Sequence, residues 1–117
     1  HAHMPRGFFE LMWETLKAGN EFYGFMKNRC KNGDHYWVFA YVRPETDASG
    51  KIIGYRSFRR AAARDMVDLW EKNYEQMRAL EEKRDVREQC AASRDWLEKW
   101  VRKEGAPDYA AWVLRHV

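Results

Sequence analysis

Apolar and polar positions along residues 25–60 fall into three apolar runs parted by two short polar stretches. The first run begins at Phe25 and gives way to Asn32-Gly33, the second takes in Tyr36 to Val42, and the third follows Asp47-Ala-Ser-Gly-Lys51 over about Ile52 to Arg60. This punctuation predicts an antiparallel three-stranded meander, with Asn32-Gly33 as a two-residue hairpin loop and Ser49-Gly50 doing similar work in the second connection. In the second strand both alternating sets are apolar: Tyr36, Val38, Ala40 and Val42 on one face, Trp37, Phe39 and Tyr41 on the other. Both faces of the sheet are therefore expected to be covered.

On either side of the strands the period changes to that of a helix. Pro5 suits a first helical turn, Phe8, Phe9, Met12, Trp13 and Leu16 recur at spacings of three and four, and Gly19 ends the segment. That apolar face, Trp13 included, is expected to lie on the sheet as core. From about Ala61, Met66, Leu69, Trp70, Asn73, Met77 and Leu80 form a near-heptad stripe. The charge run from Glu81 to Glu88 reads as a solvated helical stretch or a turn. A second stripe, Trp96, Leu97, Trp100 and Val101, ends at Gly105, and Pro107 opens a short helix with Tyr109, Trp112, Val113 and Leu114. The two segments are expected to fold as a helical hairpin against each other or against a partner. The fold class is α+β: a three-stranded antiparallel sheet with an N-terminal helix and a C-terminal helical extension.

Particular residues go further than the pattern. Lys27-Asn-Arg-Cys-Lys-Asn-Gly-Asp-His-Tyr-Trp37, Val42-Arg-Pro44, Asp47-Ala-Ser-Gly-Lys51 and Gly54-Tyr55 closely resemble the last three strands of a PAS sensor domain. Met4-Pro5, Met12-Trp13 and Thr15-Leu-Lys-Ala-Gly19 resemble the helix that leads into them. The combination is most similar to the flavin-binding PAS domains of aerotaxis receptors and related methyl-accepting chemotaxis proteins. It covers about residues 1–61, which reads as the C-terminal half of a PAS domain, with residues 62–117 as signalling or dimerisation helices. His1-Ala-His-Met-Pro5 aligns with the His-Pro-Asp-Met-Pro stretch of the aerotaxis group and equally fits an expression scar ahead of Met4.

The resemblance implies a sensory module of a bacterial chemotaxis-type signalling protein, acting in the cytoplasm through a downstream partner. It places the Val38 and Ala40 set toward the ligand pocket and the Trp37 set outward. Aerotaxis-type sequences commonly carry Arg or Asn where Phe39 and Tyr41 stand, so something in this protein is expected to hide the outer face. FAD is the cofactor implied for the intact family domain, with Trp13, His1 and Arg56 as the matching or neighbouring positions. The family's Arg is absent, His3 stands at the Asp position and Arg56 replaces a frequent Met, so this chain is expected to lack the flavin.

The third strand is central in a complete PAS sheet, and here its outer edge has no partner. Such an edge recruits another strand. A homodimer is the expectation, paired across a two-fold axis through Trp37, Phe39, Tyr41, Ile53, Tyr55, Phe58, Trp70 and Met77. A ligand-free protein interaction module is the alternative reading. A basic nucleic-acid binder is a third, resting on Arg56, Arg59, Arg60 and Arg64, for which Asp65 and Asp68 also offer ordinary partners.

Composition sets outer bounds. A chain of 117 residues with 45% hydrophobic and 15% aromatic residues fits one small domain with a real core. No apolar run approaches the roughly 20 residues of a membrane helix. The formal charge of +3 is concentrated in the sheet half, where ten Lys and Arg face six Asp and Glu. Cys30 and Cys90 are expected to be free thiols, with Cys30 packing rather than reacting. His1, His3, His35 and His116 show no ligand spacing, Glu10 and Glu14 read as a surface pair, and no Gly-rich phosphate loop is present. Neither enzyme activity nor a metal site is expected.

Overall fold

The computed structural model describes residues 3–117. Helix α1 (Arg6–Lys17) leads into strands β1 (Phe22–Arg29), β2 (His35–Thr46) and β3 (Ile52–Ala61), followed by α2 (Arg64–Glu82), α3 (Val86–Lys103) and α4 (Tyr109–Arg115). The strands form one antiparallel sheet in the order β1-β2-β3. The register sets Phe25 opposite Phe39 and Ala40 opposite Arg59, which fixes the two faces of the sheet.

Both connections are longer than two-residue hairpins, and the reason lies in one side chain at each. No non-glycine residue among the described residues has positive φ, so Asn32 does not adopt the conformation that a two-residue loop of this type demands. Asn32 instead accepts a hydrogen bond from the Asp34 backbone N–H at 3.0 Å, and only Gly33 (φ 93°) turns left-handed. Asp47 builds the second turn similarly, accepting from the Ser49 and Lys51 N–H groups at 2.9 Å each, with Gly50 at φ 87°.

Helix α1 lies across the face that carries Gly24, Ala40 and Val42, burying Phe8, Met12 and Leu16. A Cβ on Gly24 would stand 3.0 Å from the Phe8 ring and 3.0 Å from the Tyr109 hydroxyl, so close approach is what requires glycine there. The other face is covered by α2 at Phe25 and Trp37 and stays partly open at Tyr41 and Phe58. Trp70 stacks on Phe25 with ring centroids 6.3 Å apart, and Tyr74 stacks on Trp37 at 5.9 Å. Tyr74 also donates its hydroxyl to the Phe25 carbonyl at 2.6 Å, tying α2 to β1.

The C-terminal helices fold back into the same core as the sheet. Trp70, Met77, Leu97, Val101, Trp112 and Val113 join Phe8, Phe22 and Phe25 in one buried cluster. Trp70 and Met77, expected at a dimer face, are therefore interior residues of this chain. A helical stripe reports that a face is covered, and here the cover is intramolecular. The helices close over β1 and leave β3 bare.

Candidate functional site

Helix α1 has a packed side and an open side. Its N-terminus lacks a cap of its own: Pro5 offers no side-chain acceptor, and no acid stands in the first turn. Glu81, from the last turn of α2, supplies the missing acceptor, taking the Arg6 and Gly7 N–H groups at 2.9 Å each with a buried carboxylate. A negative charge at a helix C-terminus opposes that helix's dipole, but at the N-terminus of α1 it is favourable, so the interhelix contact offsets the misplacement. Next to it, a Cβ on Gly7 would fall 2.1 Å from the Ser93 hydroxyl, so α3 sits directly on the α1 backbone. Arg94 completes the clamp by bridging Glu10 and Glu14. The Arg94 hydrogen bond holds the Glu10 carboxyl below its ordinary value.

On the open side α1 reaches toward β3. Trp13, expected in the core, is 42% exposed and meets Tyr55 edge-on, with centroids 5.2 Å apart. The buried arc of α1 is centred on Phe8, Met12 and Leu16, so Trp13 is carried to its rim, beside a strand that nothing covers. Tyr55 is 41% exposed and Ile53, on the same face, 67%. Strand alternation sends Ser57 and Arg59 to that face as well. Arg59 has no carboxylate within ion-pair distance among the described residues; its Nε lies 3.4 Å from the Ser57 hydroxyl. The result is a shelf with a half-exposed aromatic pair at one end and an uncompensated guanidinium at the other. Its chemistry suits a planar, anionic ligand.

Arg56 is not on this shelf. Its neighbours Tyr55 and Ser57 face α1, so Arg56 points to the opposite side, where its Nε pairs with Glu45 at 2.8 Å. Trp13 and Arg56 are thus not brought together, and His1 lies outside the described residues. Arg59 is the cation that a reading by position overlooks, and the parity of β3 relative to Tyr55 is the signal that finds it. On the outer face, Tyr41 stacks between Tyr23 and Phe58, with Arg43 over Phe58 and Arg60 over Phe39. Hydrogen bonds from the Tyr41 and Tyr23 hydroxyls hold the Glu21 carboxyl below its ordinary value.

A separate cavity of about 270 Å³ lies where α1, β1, α3 and α4 meet. Its polar rim is already self-paired: Arg94 is taken by Glu10 and Glu14, Glu21 by Tyr23, and Asp108 caps α4 through the Ala111 N–H. No group of three His, Cys, Asp or Glu among the described residues is placed to hold a metal ion.

Residues 1–59, the sheet and the helix that feeds it, match the family described as the PAS fold. The chain belongs to the PAS family. It is of the aerotaxis-receptor type: over 99 residues it is 38% identical to the aerotaxis receptor of Escherichia coli K12, a match that takes in 85% of this chain and 19% of that protein. The chain thus spans about a fifth of the length of this relative. Among solved structures it is similar to the light state of the blue-light photoreceptor Aureochrome1 LOV, with a TM-score of 0.49 and 21% identity over 62% of this chain and 57% of that one. It is also similar to a light-oxygen-voltage domain whose mechanism was probed with a flavin analogue, with a TM-score of 0.48 and 20% identity over 58% and 50% of the two chains.

Proposed function

We propose that this PAS domain is a non-catalytic sensory module of a cytoplasmic, chemotaxis-type signalling protein, and that α1 is the element joining its ligand face to its output face. The observation that carries this reading is the double engagement of α1. One side borders the Trp13–Tyr55 shelf, while the other is capped by Glu81 and bridged by Arg94. A ligand that shifts α1 by a fraction of an ångström must also move the α2–α3 hairpin or break these contacts.

Flavin is the ligand class that the family type suggests, and the shelf offers what such a group needs in part. Trp13 and Tyr55 give an aromatic surface for the ring system, and Arg59 gives a cation for the phosphates. The shelf is open along β3, which leaves a bound ring wetted on one side. The chain as it stands is therefore proposed to bind flavin weakly and to purify colourless. In an FAD titration followed by flavin fluorescence anisotropy, Trp13→Ala and Arg59→Glu should each weaken binding about tenfold, and Arg56→Ala should leave it unchanged. A flat titration would support the second reading, a ligand-free interaction module. That reading is favoured by exposed Ile53, Tyr55 and Phe58 along a strand with one unpaired edge, the surface through which a homodimer is proposed to form. Sedimentation showing only monomer would remove the homodimer.

A further inference from the structure

We infer that the groove between the C-terminal turn of α2 and helix α3 is a docking site for an acidic amphipathic helix of a partner protein. This goes beyond the ligand shelf and does not depend on it. The floor is apolar and concave: Leu80 comes from α2, and Ala92, Trp96 and Trp100 from one face of α3. Trp96 and Trp100 stack with centroids 6.5 Å apart, and both are only partly buried. Trp100 is held from behind by Trp70 and Trp112, so its position in the floor is set by the core.

The rim is electropositive. Arg84, Lys99 and Lys103 border the groove against a single carboxylate, Asp95. Asp95 pairs with Lys99 at 2.9 Å, and no carboxylate lies within ion-pair distance of Arg84 or Lys103 among the described residues. Two cations thus remain uncompensated at the two ends of an apolar trough, Arg84 in the turn before α3 and Lys103 at the end of α3. From Ala92 to Lys103 the groove runs about 16 Å at 1.5 Å per residue, three turns of helix. A groove between two packed helices accepts the apolar ridge of a third, and carboxylates flanking that ridge would meet Arg84 and Lys103.

The charge also decides against the other occupants. A second copy docked groove to groove would set Arg84, Lys99 and Lys103 against their own counterparts. An anionic membrane takes up a convex apolar face, and here the tryptophans lie in a trough between two helices.

The experiment uses the whole chain and two synthetic amphipathic helices of about four turns. One carries Leu on its apolar face and Glu on its polar face, and the other replaces each Glu with Lys. Binding is read from the Trp96 indole N–H resonance in a proton–nitrogen correlation spectrum. The acidic peptide should shift that resonance saturably, and the combined Arg84→Glu and Lys103→Glu variant, altered only at exposed side chains, should weaken binding at least about tenfold. Absence of saturation, equal binding of the basic peptide, or equal binding by the reversed variant would each overturn the proposal. So would a shift with phosphatidylglycerol vesicles in the absence of any with the peptide, which would assign the groove to a membrane surface.

Discussion

The two edges of the sheet carry comparable aromatic residues and meet opposite fates. At β1, Phe22 and Phe25 are buried beneath Tyr109 and Trp70, and the Phe25 carbonyl takes the Tyr74 hydroxyl. At β3, Tyr55 and, on the opposite face, Phe58 lie 41% and 46% exposed, with Tyr55 meeting the Trp13 ring of α1 edge-on. Residue type does not separate the two edges. What separates them is that the chain returns after β3 and spends its helices on the far side of α1. Stability is thereby concentrated at β1, and β3 is left as the exposed edge of the sheet.

The sharpest way to break this contrast is to truncate one aromatic at each edge. Trp70→Ala removes the side chain at the centre of the buried cluster and should cost about 3–5 kcal/mol. Phe58→Ala, largely in solvent, should cost less than about 1 kcal/mol. Urea denaturation of both variants checks the pair, and equal losses would mean that β3 is as well covered as β1. Next in size is Glu81→Ala. It strips the N-terminus of α1 of a charged acceptor for two backbone N–H groups and should cost about 2–3 kcal/mol. An unchanged midpoint would detach the helical hairpin from α1. Tyr74→Phe removes only the hydroxyl bonded to Phe25 and should cost about 1–2 kcal/mol, with faster amide exchange at β1 but not at β3.

How much of this was legible in the sequence depends on the range of each interaction. The three strands, their turns and the helices were readable because alternation, turn chemistry and the 3.6-residue period are local. The burial of Trp70 and Met77 was not: their stripe says that one face is covered, and only the tertiary arrangement shows that the cover is the chain's own core. Trp13 sits one helical step beyond Met12, and that step carries it from the core to the rim. Sequence position singled out Arg56, and only the contact of Tyr55 with Trp13 fixes the parity of β3 that turns Arg59 to the shelf and Arg56 away from it. Glu81 lay in a charge run and read as solvated, since a contact 74 and 75 residues distant leaves no periodic trace. One hint was present: a helix starting at Pro5 with no acid in its first turn needs an acceptor from elsewhere.

The smallest expected effect concerns the outer end of the clamp, and pH isolates it. The hydrogen bond from Arg94 lowers the Glu10 carboxyl below its ordinary value of 4.5. A carboxyl with a depressed folded-state value contributes stability that is fully present above the unfolded value and is lost as pH falls through the folded one. Glu10 and Glu14 are well exposed, so solvent screening holds the contribution below about 1 kcal/mol. Arg94→Met keeps most of the packed stem and removes the charge. Melting curves of the parent and Arg94→Met chains, taken from neutrality down to about pH 3, should therefore differ by a constant small amount above pH 4.5 and converge below it. A gap that persists at acid pH would assign the role of Arg94 to packing against α1, alongside Glu81, the Gly7–Ser93 contact and the Phe8–Tyr74 ring pair.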